Sequence, residues 1–133
     1  QLKKTENNEL IIDAYNANPS SMKVALDNFA TMPVSPKALI LGDMRELGPT
    51  SDELHTEVVA RIKEGNYDKV FLCGEHFQKA AGKDFTTYAT TEELIDALKA
   101  NPLKGYRWAF AQKLNSKKAN SKTLIFFIMT FII

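Results

Sequence analysis

Short apolar runs alternate with amphipathic helical stretches along this chain, and few folds accommodate that rhythm. Leu10-Ile11-Ile12 reads as a buried strand, followed by the polar turn Asp13-Ala14-Tyr15-Asn16-Ala17-Asn18-Pro19. Pro19 suits a first helical position and Asn18 the N-cap before it. Met22, Leu26 and Phe29 then recur at helical spacing, with Val24 and Ala25 nearby. Ala38-Leu39-Ile40-Leu41 is the next apolar run. The loop Gly42-Asp43-Met44-Arg45-Glu46-Leu47-Gly48-Pro49 follows it. Thr50 with Glu53 has the spacing of a capping box. Leu54, Val58, Val59 and Ile62 mark the face of the helix it opens, and Gly65-Asn66 ends that helix.

The rhythm continues. Lys69–Cys73 is a third strand, with a short helix near Phe77–Ala81, and Phe85–Tyr88 is a fourth. Thr90 with Glu93 is a second capping box, opening a helix through Leu94, Ile95 and Leu98 that Asn101-Pro102 stops. A fifth strand falls near Tyr106–Phe110. Strands alternating with helices predict an α/β fold: a Rossmann-like, mostly parallel sheet with helices on both faces. Right-handed crossovers then bring the loops after each strand to one edge, where open sheets bind ligands. The two most polar loops, residues 13–19 and 42–50, are expected on that edge.

Composition narrows the partners. The 133 residues suit one domain with its own core. Lys+Arg total 17 against 16 Asp+Glu, a net charge of +1, which argues against nucleic acid as the main partner. A single cysteine, Cys73, sits in an apolar run, so it reads as a buried small hydrophobe. The chain opens without an apolar leader or an initiator Met, and we read it as a domain from within a longer protein. Its last apolar run, Leu124–Ile133, is too short to span a bilayer.

Each polar loop admits two readings. In residues 13–21 an acid, an aromatic ring and two carboxamides precede a helix N-terminus, where free N–H groups and the dipole favour an anion. Carboxamides donate and accept, which suits a substrate with amide and carboxylate groups. A plain, well-capped turn accounts for the same residues. In the second loop Asp43 and Glu46 flank Arg45; they either position an amine nucleophile or pair with the arginine in solvent. His55, near the same edge, is a catalyst or a structural hydrogen-bonding group, and so is His76 after Gly74-Glu75. The two histidines lack metal-ligand spacing. No Gly-Lys-Ser/Thr phosphate loop and no dinucleotide fingerprint occurs.

Taken together, the loops resemble a known family. The string Asp13–Met22 is similar to the signature that opens the C-terminal domain of Mur ligases. The string Gly42–Gly48, with Ser51 and His55, is similar to a second signature. Both take the form of the branch that adds D-alanyl-D-alanine to UDP-N-acetylmuramoyl-tripeptide. The resemblance runs from about residue 5 to residue 105. It implies a three-domain cytoplasmic enzyme of peptidoglycan precursor synthesis that uses ATP and magnesium. ATP phosphorylates the tripeptide carboxylate, and the dipeptide amine attacks the acyl phosphate. It further implies that Asp13, Tyr15, Asn16 and Asn18 face the interdomain cleft, touching the nucleotide end and the incoming dipeptide. Asp43, Glu46 and His55 shape the neighbouring wall. All of them position groups; none is assigned proton transfer. The partners implied are the two substrates and the enzyme's own N-terminal and central domains. Without those domains the piece should be inactive and hold no nucleotide or magnesium tightly.

Two departures accompany the resemblance. The phosphate loop and metal ligands are absent. The family's Lys-Gly-Ser segment is also missing, because after Gly105-Tyr106 the chain reads Arg107-Trp108-Ala109-Phe110-Ala111-Gln112. We therefore divide the chain at residues 1–106, the domain, and 107–133, a divergent tail. A shifted reading frame or cloning artefact is one origin of that tail; a divergent final strand and helix is the other. Two further functions stay open: the same domain of another Mur or folylpolyglutamate-type ligase, which Asn16 and Asn18 disfavour, and a free-standing α/β binding or regulatory module.

Overall fold

Alternate residues of the central strands face opposite ways, and both directions are apolar. A strand with two buried faces must lie between two helical layers. The computed structural model of the protein, which describes residues 2–4, 9–12 and 18–111, has this arrangement. In chain order the strands are β1 (Leu2–Lys4), β2 (Glu9–Ile12), β3 (Lys37–Gly42), β4 (Lys69–Cys73), β5 (Thr86–Tyr88) and β6 (Arg107–Ala111). The helices are α1 (Pro19–Thr31), α2 (Ser51–Glu64), α3 (Glu75–Ala81) and α4 (Thr91–Ala100), with a 3₁₀ turn over Gly48–Thr50.

The sheet order is β1-β2-β6-β3-β4-β5. All neighbours are parallel except β1, which runs antiparallel to β2. Register sets the edge. Ile12 stands opposite Phe110, and Phe110 opposite Ile40, so β2 and β3 end at the same rim. Leu41 and Gly42 stand opposite Leu72 and Cys73, which brings the end of β4 there too.

Two cores flank the sheet. Leu39, Leu41 and Leu72 face α1, α2 and α3, and pack with Met22, Leu26, Phe29, Val58, Ile62 and Phe77. Ala38, Ile40, Cys73 and Trp108 face α4 and pack with Leu94, Ile95 and Leu98. The period of two within β3 separates the sets. Trp108 is fully buried, its ring stacked 6.1 Å from Phe71. Residue 107, where the reading above begins the divergent tail, is the first residue of β6.

Local signals act much as their spacing suggests, with instructive exceptions. Asn18 caps α1. Val24, close in sequence to the buried stripe, turns outward and is 58% exposed. Thr90 caps α4, its side chain accepting from Glu93 N at 3.3 Å. The Glu93 carboxylate reaches past the cap residue to Ala89 N at 3.1 Å, so the box closes one residue early. Thr50 does not form the expected box with Glu53. It closes the 3₁₀ turn instead, and its hydroxyl donates back to Leu47 O at 2.9 Å. Strand β1 carries no signal of its own in a three-residue stretch.

Candidate functional site

At the rim where β3 and β4 end, loop 43–48 and the start of α3 enclose a hollow of about 340 Å³. Asp43, Arg45, Glu46, Ser51 and His76 supply its polar lining, with Met44, Leu47 and Gly48.

Asp43 is the structural centre of this hollow. Its two carboxylate oxygens accept from the backbone N–H groups of His76 and Phe77, each at 3.0 Å. Asp43 N in turn donates to Cys73 O at 3.0 Å, tying the ends of β3 and β4 together. The start of α3 has no cap of its own, because Gly74 stands at the N-cap with no side chain. Asp43, distant in sequence, provides the acceptors instead. Gly74 adopts φ +120°, and a Cβ there would run into the Asp43 carboxylate. Both facts require glycine.

His55 is fully buried in α2. Its Nε2 accepts from Met44 N at 3.1 Å, and its Nδ1 donates to Ser51 O at 2.7 Å. This pattern fixes the Nδ1–H tautomer. The Asp43 carboxylate lies 3.8 Å from Nε2, but that nitrogen is already an acceptor. His55 therefore holds the loop in place and offers no face to the hollow. Its ring lies edge-on to Phe77 and stacks on His76 at 4.9 Å.

His76, left by the sequence between a catalyst and a structural group, is exposed where His55 is buried. It is half exposed and lines the hollow. The Ser51 hydroxyl stands 3.3 Å from Nδ1 of both His55 and His76. Asp52 lies 3.8 Å from His76 Nδ1 and pairs with Lys79. The Lys79 ammonium, bonded to Asp52, holds that carboxyl below its ordinary range, aided by its charge and by His76. The signal for His76 was topological: loops after adjacent parallel strands must adjoin.

Glu46 is exposed and left-handed, with φ +61°. Such a backbone is uncommon away from glycine, and it gives the loop its sharp bend before Gly48 at φ +60°. Asn18 opens α1 at the exposed surface. Its Oδ1 accepts from Ser21 N at 2.9 Å, and Ser21 Oγ accepts from Asn18 N at 3.1 Å. Among the described residues nothing accepts from its Nδ2. Pro19 and Lys23 of α1 line a second hollow with residues of α2 between Leu54 and Glu64. Asp13, Tyr15 and Asn16 lie outside the described residues.

Cys73 is buried, and burial pushes its thiol up to about 11. It is a packing residue beneath Thr91. Among the described residues no group of three His, Cys, Asp or Glu side chains could hold a metal ion, and no helix is long and apolar enough to cross a membrane.

Comparison with known proteins gives one family. The family described as "Mur ligase, glutamate ligase domain" matches residues 1–121. A UDP-N-acetylmuramoyl-tripeptide–D-alanyl-D-alanine ligase of Bacillus subtilis is 36% identical over 118 residues, 79% of this chain and 25% of that protein. The ligase of the same name from Rickettsia prowazekii is 42% identical over 71 residues, 53% of this chain and 16% of that protein. The chain thus spans a quarter or less of these two ligases. A crystal structure of MurF from Acinetobacter baumannii superimposes with a TM-score of 0.78 at 21% identity, covering 97% of this chain and 29% of that one. MurF from Thermotoga maritima, solved in complex with ADP, gives 0.73 at 19% identity, over 98% of this chain and 29% of that one. The parallel sheet, the two helical layers and the match over residues 1–121 agree, and the chain belongs to the Mur ligase family.

Proposed function

We propose that this chain is the C-terminal domain of the ATP-dependent ligase that joins D-alanyl-D-alanine to UDP-N-acetylmuramoyl-tripeptide, in the cytoplasm, during peptidoglycan precursor synthesis. The observation that carries the reading is the 36% identity to a ligase of that name across 79% of the chain. The shared rim of β2 and β3 supports it, since the strands preceding both signature loops end there.

In this reading the domain binds and positions. Asp13, Tyr15, Asn16 and Asn18 contact the nucleotide end and the dipeptide, with the Asn18 Nδ2 group as a donor. Asp43 and His55 act one step back: they hold the wall that Arg45, Glu46 and His76 present. Orienting the amine against the acyl phosphate supplies much of the rate in such a reaction, and closing the cleft keeps water from hydrolysing that intermediate. No phosphate loop is in the sequence, and we assign the phosphate-holding groups and the magnesium to the enzyme's other domains.

The test uses the full-length protein with UDP-N-acetylmuramoyl-tripeptide, ATP, magnesium and D-alanyl-D-alanine. Phosphate release should require all of them, and mass spectrometry should find the pentapeptide product. Phosphate release indifferent to the dipeptide overturns the reading. The 133-residue chain alone should give no turnover.

A further inference from the structure

Around the hollow at the β3–β4 rim, the charges are unequally engaged. Both oxygens of Asp43 are taken by the start of α3. Asp52 is paired with Lys79. Glu46 has an interaction of its own. Arg45 is different: it is exposed, it lines the hollow, and among the described residues its guanidinium meets no carboxylate. His76 lines the same hollow, held by stacking on the buried His55 and by the Ser51 hydroxyl at its Nδ1. That leaves its Nε2 without a partner among the described residues.

We infer that Arg45 and His76 form a seat for a substrate oxyanion in the cleft. The inference rests on the ligase reading above and deepens it. A guanidinium fork matches a carboxylate or a phosphate with two parallel hydrogen bonds, and it does so better than a lysine. With Nδ1 accepting from the Ser51 hydroxyl, the imidazole offers its Nε2–H as a second donor. Two substrate groups have this chemistry: the free carboxylate of the dipeptide and a phosphate of the nucleotide. Ser51 and His55 orient His76, and Arg45 sets specificity.

The experiment uses the full-length enzyme with Arg45→Ala, Arg45→Lys and His76→Gln, measuring KM for D-alanyl-D-alanine and for ATP separately. D-Alanyl-D-alaninamide, which lacks the free carboxylate, is the probe for the dipeptide arm. Arg45→Ala should raise one KM by roughly tenfold or more, as the loss of a charge-assisted pair implies. Arg45→Lys should recover part of that loss, and His76→Gln should raise the same KM less. If the dipeptide carboxylate is the oxyanion, Arg45→Ala also abolishes the preference for the acid over the amide. If a phosphate is, KM for ATP rises and that preference stays. Both KM values within twofold of wild type in Arg45→Ala and His76→Gln, with active wild-type enzyme, overturn the seat and leave the ligase reading intact. Wild-type enzyme without dipeptide-dependent turnover removes both. Because Arg45 is exposed and makes no ion pair among the described residues, its variants should melt with the wild type.

Discussion

The carboxylate of Asp43 occupies the space that a side chain on Gly74 would need, and it uses that position to cap α3. Each residue makes the other necessary. Gly74→Ala should destabilise the fold by about 2 kcal/mol or more, from the positive φ and the clash together. Asp43→Ala should cost about 1–2 kcal/mol through the lost cap. In the double variant the clash is relieved, so its loss should fall short of the sum of the two. Urea titrations of all three chains measure this; strict additivity would show that the two residues do not share the space.

His55 should matter for stability before it matters for chemistry. It is fully buried, and its Nε2 is the acceptor for Met44 N. His55→Ala leaves a cavity and an unpaired N–H, and should cost about 2–4 kcal/mol. A loss under about 0.5 kcal/mol, the range of ordinary surface changes, would contradict the structural role.

Cys73 gives a pH signature. Burial raises its thiol from 9.0 to about 11 in the folded chain. A raised pKa means that the folded state favours the protonated thiol. The stabilisation is complete below the unfolded value and is lost as pH climbs from about 9 to about 11. Cys73→Ala should flatten this part of the stability curve, seen in Tm between those limits. Thiol reagents at pH 8 should label native Cys73 slowly and the urea-unfolded chain quickly. Equal labelling rates would place the thiol at the surface.

Asn18 needs a variant that separates two roles, since it caps α1 and is proposed to meet substrate. Asn18→Ala should cost about 1 kcal/mol of stability and also lower activity. Asn18→Ser keeps an acceptor for Ser21 N but removes the Nδ2 donor. In the full-length enzyme it should keep the wild-type Tm while kcat/KM for the dipeptide falls about tenfold. Wild-type kinetics with Asn18→Ser would reduce Asn18 to a cap.

Local features were readable because their causes are local. Asn18 before Pro19, the Met22–Leu26–Phe29 stripe and the pair Thr90 and Glu93 all act within four residues. The α/β class followed from the alternation of the runs. Thr50 misled because the 3₁₀ turn before it captures its hydroxyl, a competition that spacing alone does not show. The cap made by Asp43 was illegible for the opposite reason. Its partners are His76 and Phe77, more than thirty positions away, so an exposed acid in a loop and a cap for a remote helix look alike in sequence. His55 and His76 meet only after β3 and β4 pair.

The place of β6 has a consequence for how the chain reaches its final form. The strand emerges last among those described, yet it sits between β2 and β3. Until Arg107–Ala111 is synthesised, β2 has no neighbour on that side, and the half-sheet of β3, β4 and β5 has an open flank. A ribosome making this polypeptide therefore delivers the keystone after the other described strands. A nascent chain stalled before Trp108 would lack the strand that sets the ends of β2 and β3 on one rim.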